Sequence, residues 1–202
     1  MTITDMRRVR GSLYEVELDG EPAGKVDRRT MDDAGWRVDS TLTQRQWEDL
    51  LELSTRNRCK DKALFWLSLR DRSRGELLRK LKEEYDADLA GETVDRLAEL
   101  GLLDDESLAA RWAAELVRRK HFSRRRVEQE LLLRGFDRET ARQAAAGVET
   151  DDGEQALAIL RKKYYNHMQS EDGRRKAAAA LMRYGFSRDA VRRAFEDWEN
   201  ED

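Results

Sequence analysis

A single cysteine, Cys59, leaves no intramolecular disulfide to staple the fold, and nothing in that usage points to an oxidising compartment. Two histidines, His121 and His167, together with that cysteine form no clustered ligand set of the kind zinc requires. No apolar run approaches 18 residues, which argues against a membrane-spanning helix, and Met1 to Asp5 holds no apolar signal core. A cytoplasmic protein with no membrane attachment is the expectation. Glycine-rich phosphate loops are missing, and no serine or cysteine stands in the context of a nucleophile. Paired acids such as Asp104-Asp105 and Asp151-Asp152 stand where helices begin, which suits the helix dipole. Neither catalysis nor a metal, cofactor or small-molecule substrate is expected.

Proline is also nearly absent, with Pro22 alone, and there are 12 glycines in 202 residues. With 40% charged and 39% hydrophobic residues, the balance suits a helix-rich soluble protein and is too apolar for wholesale disorder. The net charge of −3 provides no overall basic field. Its distribution is uneven, because residues 118–126 hold six Arg or Lys and no acid, whereas Glu196 to Asp202 hold five acids and no base. Such a local run binds polyanions weakly and with strong salt dependence.

What the chain has in quantity is self-similarity. Leu81, Leu131 and Leu181 lie fifty residues apart, as do Ser73, Ser123 and Gly173, each followed by arginine at 74, 124 and 174. Arg134-Gly135-Phe136-Asp137-Arg138-Glu139 aligns with Tyr184-Gly185-Phe186-Ser187-Arg188-Asp189. A period of this size marks stacked supersecondary units, each unable to bury its apolar face alone. The expected fold is mainly α: three tandem three-helix repeats in an elongated curved array behind a small β-rich module.

That module occupies 1–42. Tyr14, Val16 and Leu18 alternate with Glu15 and Glu17, Asp19-Gly20 predicts a hairpin turn, and Trp36-Arg37-Val38 reads as another short strand. Thr43 to Gln46 has the form of a capping box and opens a connecting helix over 43–60. Repeat 1 spans 61–102. Its helices carry Ala63 to Leu69, then Leu77, Leu78 and Leu81 behind a Ser73–Glu76 capping box, then Val94, Leu97 and Leu100 before Gly101. Repeat 2 spans 103–149, with Leu108, Trp112, Leu116 and Val117, then Val127, Leu131 and Leu132 facing inward, and a Gly135-Phe136 corner. Repeat 3 spans 150–202, with a long first helix from Leu157 through Tyr165, a second helix at Ala177 to Leu181, and a third capped by Ser187.

Three phrases, Ala63–Ser73 followed by Glu76-Leu77, Leu100–Asp105 with Ala109, and Glu130–Phe136, occur in an order that resembles the RecX family. Tyr14 to Gly20 looks like the β-rich extension of its longer members. The resemblance implies a non-enzymatic regulator that binds the RecA–DNA nucleoprotein filament in its helical groove and restrains ATP hydrolysis and strand exchange. The expected partners are that filament and, weakly, single- or double-stranded DNA, and the protein is expected to act as a monomer. A direct double-stranded DNA binder of the helix-turn-helix kind is an alternative. The near-neutral array, with 28 basic and 30 acidic residues from 61 to 202, argues against it. A scaffold of HEAT or TPR type fits the period poorly.

Each repeat places charge between its first and second helices. The candidate contacts are Arg72 and Arg74; Arg118, Arg119, Lys120, Arg124, Arg125 and Arg126; and Arg161, Lys162, Lys163, Arg174, Arg175 and Lys176. Equivalent positions in stacked units align, so these charges are expected to form a stripe. They could equally be a solvated face paired with neighbouring acids. The run at 118–126, lacking an internal acid, favours a functional role. Most aromatics fall at core spacing or at glycine corners, and Phe122 is the best candidate for stacking on a base.

Overall fold

Alternation along Tyr14–Leu18 does produce a strand. The protein is described by a computed structural model over residues 1–201. Strands β1 (Ile3–Arg10), β2 (Leu13–Leu18) and β3 (Glu21–Asp27) form an antiparallel sheet in that order. Asp19 and Gly20 both take positive φ, 52° and 89°, which is the two-residue turn an Asp-Gly pair favours. Ile3, Val16, Leu18 and Val26 bury one side of the sheet against Met31, Leu42, Trp47 and Leu50.

Trp36–Val38, expected as a strand, is a loop. A short helix, α1 (Arg28–Ala34), precedes it and ends at Gly35 in the left-handed conformation. The chain then returns beside β1, where Ser40 accepts from the Ile3 N–H and Leu42 donates to Met1, both at 2.9 Å. Asp27 starts α1 by accepting from the Thr30 N–H (3.0 Å) and hydroxyl (2.5 Å). Its own N–H donates to Ser54 Oγ at 2.9 Å. Burial pushes the Asp27 carboxyl up, but the hydrogen bonds from Thr30 and Ser54 outweigh it and hold the group below its usual range.

Helix α2 (Gln44–Leu69) opens with the reciprocal Thr43–Gln46 capping box. It contains neither proline nor glycine, so nothing stops it, and it runs unbroken through the expected boundary between 60 and 61. The connecting helix and the first helix of repeat 1 are one element. Helices α3 (Arg74–Leu81) and α4 (Ala87–Glu99) complete that repeat, and Gly101 (φ 71°) turns the chain out of it.

The chain divides into two compact units, residues 1–70 with 78–97, and residues 71–77 with those from 98 onward. In the second unit, α5 (Asp105–Lys120), α6 (Arg124–Leu133) and α7 (Arg138–Ala146) surround Leu108, Leu116, Val127, Leu131 and Phe136. Helices α8 (Asp152–Ile159), α9 (Glu171–Arg183) and α10 (Arg188–Glu201) surround Leu157, Leu160, Leu181, Phe186 and Trp198. At both corners the phenylalanine N–H reaches back to the leucine five residues earlier, Phe136 to Leu131 and Phe186 to Leu181, behind a left-handed glycine. Leu132, expected inside, is 39% exposed, and Leu100 is 50% exposed.

The expected long first helix of repeat 3 is broken. After α8 the chain makes a π-helical turn over Leu160–Tyr164 and a 3-10 turn over Tyr165–Gln169. Its second helix is capped by Ser170, so Gly173, aligned with the caps Ser73 and Ser123, lies inside the first turn. A Cβ on Gly173 would sit 2.0 Å from the His167 carbonyl oxygen. The start of α9 therefore packs directly on the backbone of the 3-10 turn, and only glycine leaves room for that approach.

Consecutive repeats interlock by one device. Ser73 Oγ donates to the Arg134 carbonyl at 2.6 Å while accepting the Glu76 N–H. Ser123 Oγ donates to the Tyr184 carbonyl at 3.1 Å while accepting the Arg126 N–H. The carboxylates of Asp105 and Asp152 accept the N–H groups of Arg74 (2.9 Å) and Arg124 (3.4 Å), so each also caps the preceding second helix. A Cβ on Gly135 would lie 2.6 Å from the Glu76 nitrogen, which makes this corner glycine-only for space as well as for φ.

Candidate functional site

The basic corners start where a first helix ends in positive charge and a second helix begins. Helix α5 finishes on Arg118-Arg119-Lys120, favourable at its C-terminus, and His121 closes it in the left-handed conformation (φ 55°). His121 Nδ1 lies 2.8 Å from Gln155 Oε1, and Ser123 then caps α6, whose first turn is Arg124-Arg125-Arg126.

The charges of the expected stripe differ in what each one contacts. Arg72, expected as a surface contact, is 8% exposed and pairs with Glu76, so it lies inside the joint and not on an exposed face. Arg124 is committed to structure, its guanidinium donating to the carbonyls of Val148 (3.3 Å) and Thr150 (3.1 Å). Arg174 likewise bonds the Met168 carbonyl at 3.0 Å and Glu199 at 2.6 Å. Arg119, Arg126, Arg175 and Lys176 are paired with acids of their own helices, Glu115, Glu130 and, for the last two, Asp172. Hydrogen bonds from Lys176 and Arg175 hold the Asp172 carboxyl below its usual range, and the bond to Asp172 raises Lys176. Arg74 and Arg161 are exposed. Arg118, Lys120, Arg125 and Lys162 are exposed and have no ion pair or hydrogen bond among the described residues.

What brings repeats 2 and 3 together at this corner is aromatic. Phe122 and Tyr184 pack with ring centroids 5.9 Å apart. Arg126 lies over the Phe122 ring at 5.6 Å, and Lys163 lies over the Tyr184 ring at 5.0 Å with Nζ 2.7 Å from the phenol oxygen. The result is a ladder of Arg126, Phe122, Tyr184 and Lys163. Lys163 and Lys162 sit on the π-helical turn, a conformation that recurs at functional sites. Both rings are half-buried, and the exposed, unpartnered Lys120, Arg125 and Lys162 lie within two residues of ladder members along the chain. Preorganised charge of this kind suits a phosphate backbone or a carboxylate-lined surface.

Phe122 stands out in the sequence by its place in the basic run, whereas its partner Tyr184 does not. A signal exists all the same. At the first joint the corresponding residues are Arg72 and Arg134, and at the second both have become aromatic together. The other aromatics serve packing. Trp112 meets Phe136 edge-on at 5.7 Å beneath Arg134 (4.4 Å to the ring), and Phe136 and Phe186 are buried.

Among the described residues no group of His, Cys, Asp or Glu is arranged to hold a metal, and no helix is long and apolar enough to cross a membrane. Cys59 is buried, and burial pushes its thiol up despite the Thr93 hydroxyl at 3.3 Å, so the reactive thiolate is disfavoured.

Two family models match this chain, the first three-helix domain of RecX over residues 59–97 and the second over 104–144. The regulatory protein RecX of Xanthomonas citri is 35% identical over 138 residues, covering 66% of this chain and 83% of that protein. That of Caldanaerobacter subterraneus is 26% identical over 192 residues, covering 94% and 95%. A crystal structure of a regulatory protein RecX superposes with a TM-score of 0.69 at 18% identity, covering 96% of this chain and 98% of that one. A second, RecX from Lactobacillus salivarius, gives 0.64 at 21%, covering 72% and 97%, and both share the fold. With relatives at this identity and coverage, joined to two matched three-helix domains, the chain belongs to the RecX family of regulatory proteins.

Proposed function

We propose that this protein binds the RecA–DNA nucleoprotein filament and modulates it, mainly by restraining ATP hydrolysis and strand exchange in DNA repair and the SOS response, with no chemistry of its own. Family membership supports a regulator. The observation that carries the binding mode is the corner between repeats 2 and 3, where Arg126, Phe122, Tyr184 and Lys163 fix a cationic ladder beside the unpartnered Lys120, Arg125 and Lys162. These charges meet filament-bound DNA or the acidic protein surface around it. The protein as a whole carries −3, too little positive charge for tight binding to bare DNA. Several weak contacts along one polymer raise avidity without any single strong site.

The test is co-sedimentation with RecA filaments on single-stranded DNA, beside bare single-stranded and double-stranded DNA at two salt concentrations. The expected result is preference for the filament with a moderate salt slope. Equal affinity for either bare DNA would replace this proposal with a direct DNA binder.

A further inference from the structure

We infer that the groove between α5 and α7 docks a protein segment that presents a large apolar side chain beside a lysine or arginine. This rests on the filament proposed above, and the segment is taken to belong to the recombinase. The groove encloses about 400 Å³. Its floor is Ala110, Ala114, Ala144 and Gly147, and its rim carries Glu106 and Glu149. Neither rim glutamate has an ion pair or hydrogen bond among the described residues, although most exposed acids of this unit are paired.

Small residues between helices are ordinarily explained by close packing. The other repeats argue against that here. In repeat 1 the same groove, between α2 and α4, has Leu64 and Leu97 at the positions of Ala114 and Ala144, and it holds about 180 Å³. It is rimmed by Arg56, Lys60 and Arg96, where repeat 2 has Glu106, Ala110 and Gln143. The three-helix fold therefore accepts leucine and either sign of charge at these places, and the alanines and glutamates of repeat 2 are not demanded by the backbone.

Repeat 3 indicates what the open groove takes. At the position of Val148 it carries Trp198, which is 6% exposed and meets Tyr165 edge-on with centroids 5.4 Å apart. At the position of Gln143 it carries Arg193, which lies against Gly153 and reaches Asp151 at 3.4 Å. There the chain itself supplies a large aromatic, a neighbouring arginine and an acid to receive it. Repeat 2 has the space and, in Glu106 and Glu149, rim acids of its own, and it lacks the aromatic and the arginine. A partner that supplies both completes it. Buried aromatics flanked by Arg are the residues that dominate protein interfaces. Repeat 2 would then grip the filament twice, its basic corner on phosphate and its acidic-rimmed groove on protein.

The experiment uses two variants of the full chain. Ala114→Leu with Ala144→Leu fills the groove as repeat 1 does, and Glu106→Lys with Glu149→Lys reverses its rim. Each is assayed against RecA filaments on single-stranded DNA, RecA without DNA, and bare single-stranded DNA. Both variants should bind filament and DNA-free RecA at least tenfold more weakly, with binding to bare DNA unchanged by the leucine pair. Should the leucine pair misfold, the charge reversal lies on exposed side chains and carries the test. Folded variants that bind filament like the wild type would sink the groove and leave the filament proposal standing. Failure of the wild type to bind filament would sink both. A wild-type dimer that the variants abolish would make a second copy of this chain the occupant and overturn the recombinase segment.

Discussion

Ser73 and Arg134 are joined across 61 residues by a hydrogen bond from the serine hydroxyl to the arginine carbonyl at 2.6 Å, and Ser123 makes the same bond to Tyr184. One side chain thus caps its own helix and latches the next repeat. Removing it orphans both a helical N–H and a part-buried carbonyl. Ser73→Ala should destabilise the protein by about 2–4 kcal/mol. Ser170→Ala is the control, because Ser170 caps α9 by accepting the Gly173 N–H, a bond that stays within repeat 3. It should cost about 1 kcal/mol. Denaturant unfolding of the two variants decides, and equal losses would reduce Ser73 to an ordinary cap.

A second comparison separates backbone strain from contact at the same joint. Gly101 and Gly135 have similar positive φ, 71° and 88°, but a Cβ on Gly101 meets open space while one on Gly135 would lie 2.6 Å from a backbone nitrogen. Gly101→Ala should therefore cost only the left-handed strain, about 1–2 kcal/mol. Gly135→Ala should cost clearly more, because Gly75 and Glu76 must also move. Matched melting curves measure this.

The repeats are legible in the sequence because the three anchor leucines, the caps and the Gly-Phe corners are local signals, and each local signal agrees with the tertiary packing that uses it. Three features are hidden there for physical reasons. Helix α1 buries only Thr30 and Met31 and has no amphipathic period to detect. Strand β1 places consecutive arginines, Arg7 and Arg8, on opposite faces and shows no alternation. The break after α8 falls in a segment, Leu160–Gln169, that holds neither proline nor glycine, so no helix-stopping residue marks it in the sequence. At the site, charge is visible in the sequence but pairing is not. Arg72, Arg124 and Arg174 look like Arg125 in composition and differ only in which carbonyl or carboxylate lies within reach.

Asp27 makes stability depend on acid. Its carboxyl is held below the usual range when folded, so the unfolded chain binds the proton more readily, near about pH 3.9. The contribution is fully present above that unfolded value and is lost as pH falls through the folded value. Asp27→Asn keeps a capping side chain but removes the titration. The stability gap between wild type and variant should be constant near neutrality and shrink in acid, as followed by urea unfolding across that range. A gap that widened in acid would contradict the sign.

The last prediction concerns which cations bind. Arg119, Arg175 and Lys176 already direct their charge to Glu115 and Asp172, whereas Lys120, Arg125 and Lys162 have no such partner among the described residues. A phosphate displaces counterions from a free cation but must compete with a carboxylate for a paired one. Replacing Lys120, Arg125 and Lys162 by alanine should weaken binding to single-stranded DNA and to the filament. It should also lower the salt slope by about 0.7 for each phosphate left without its cation. Replacing Arg119, Arg175 and Lys176 should change the slope less, although it removes the same formal charge. All six side chains are exposed, so both triple variants should keep their fold, verified by melting. Because net charge falls equally in the two, a difference between them isolates local geometry from the overall field. Identical affinities and slopes would mean that the surface acts only through its total charge and that the ladder at Phe122 and Tyr184 positions nothing.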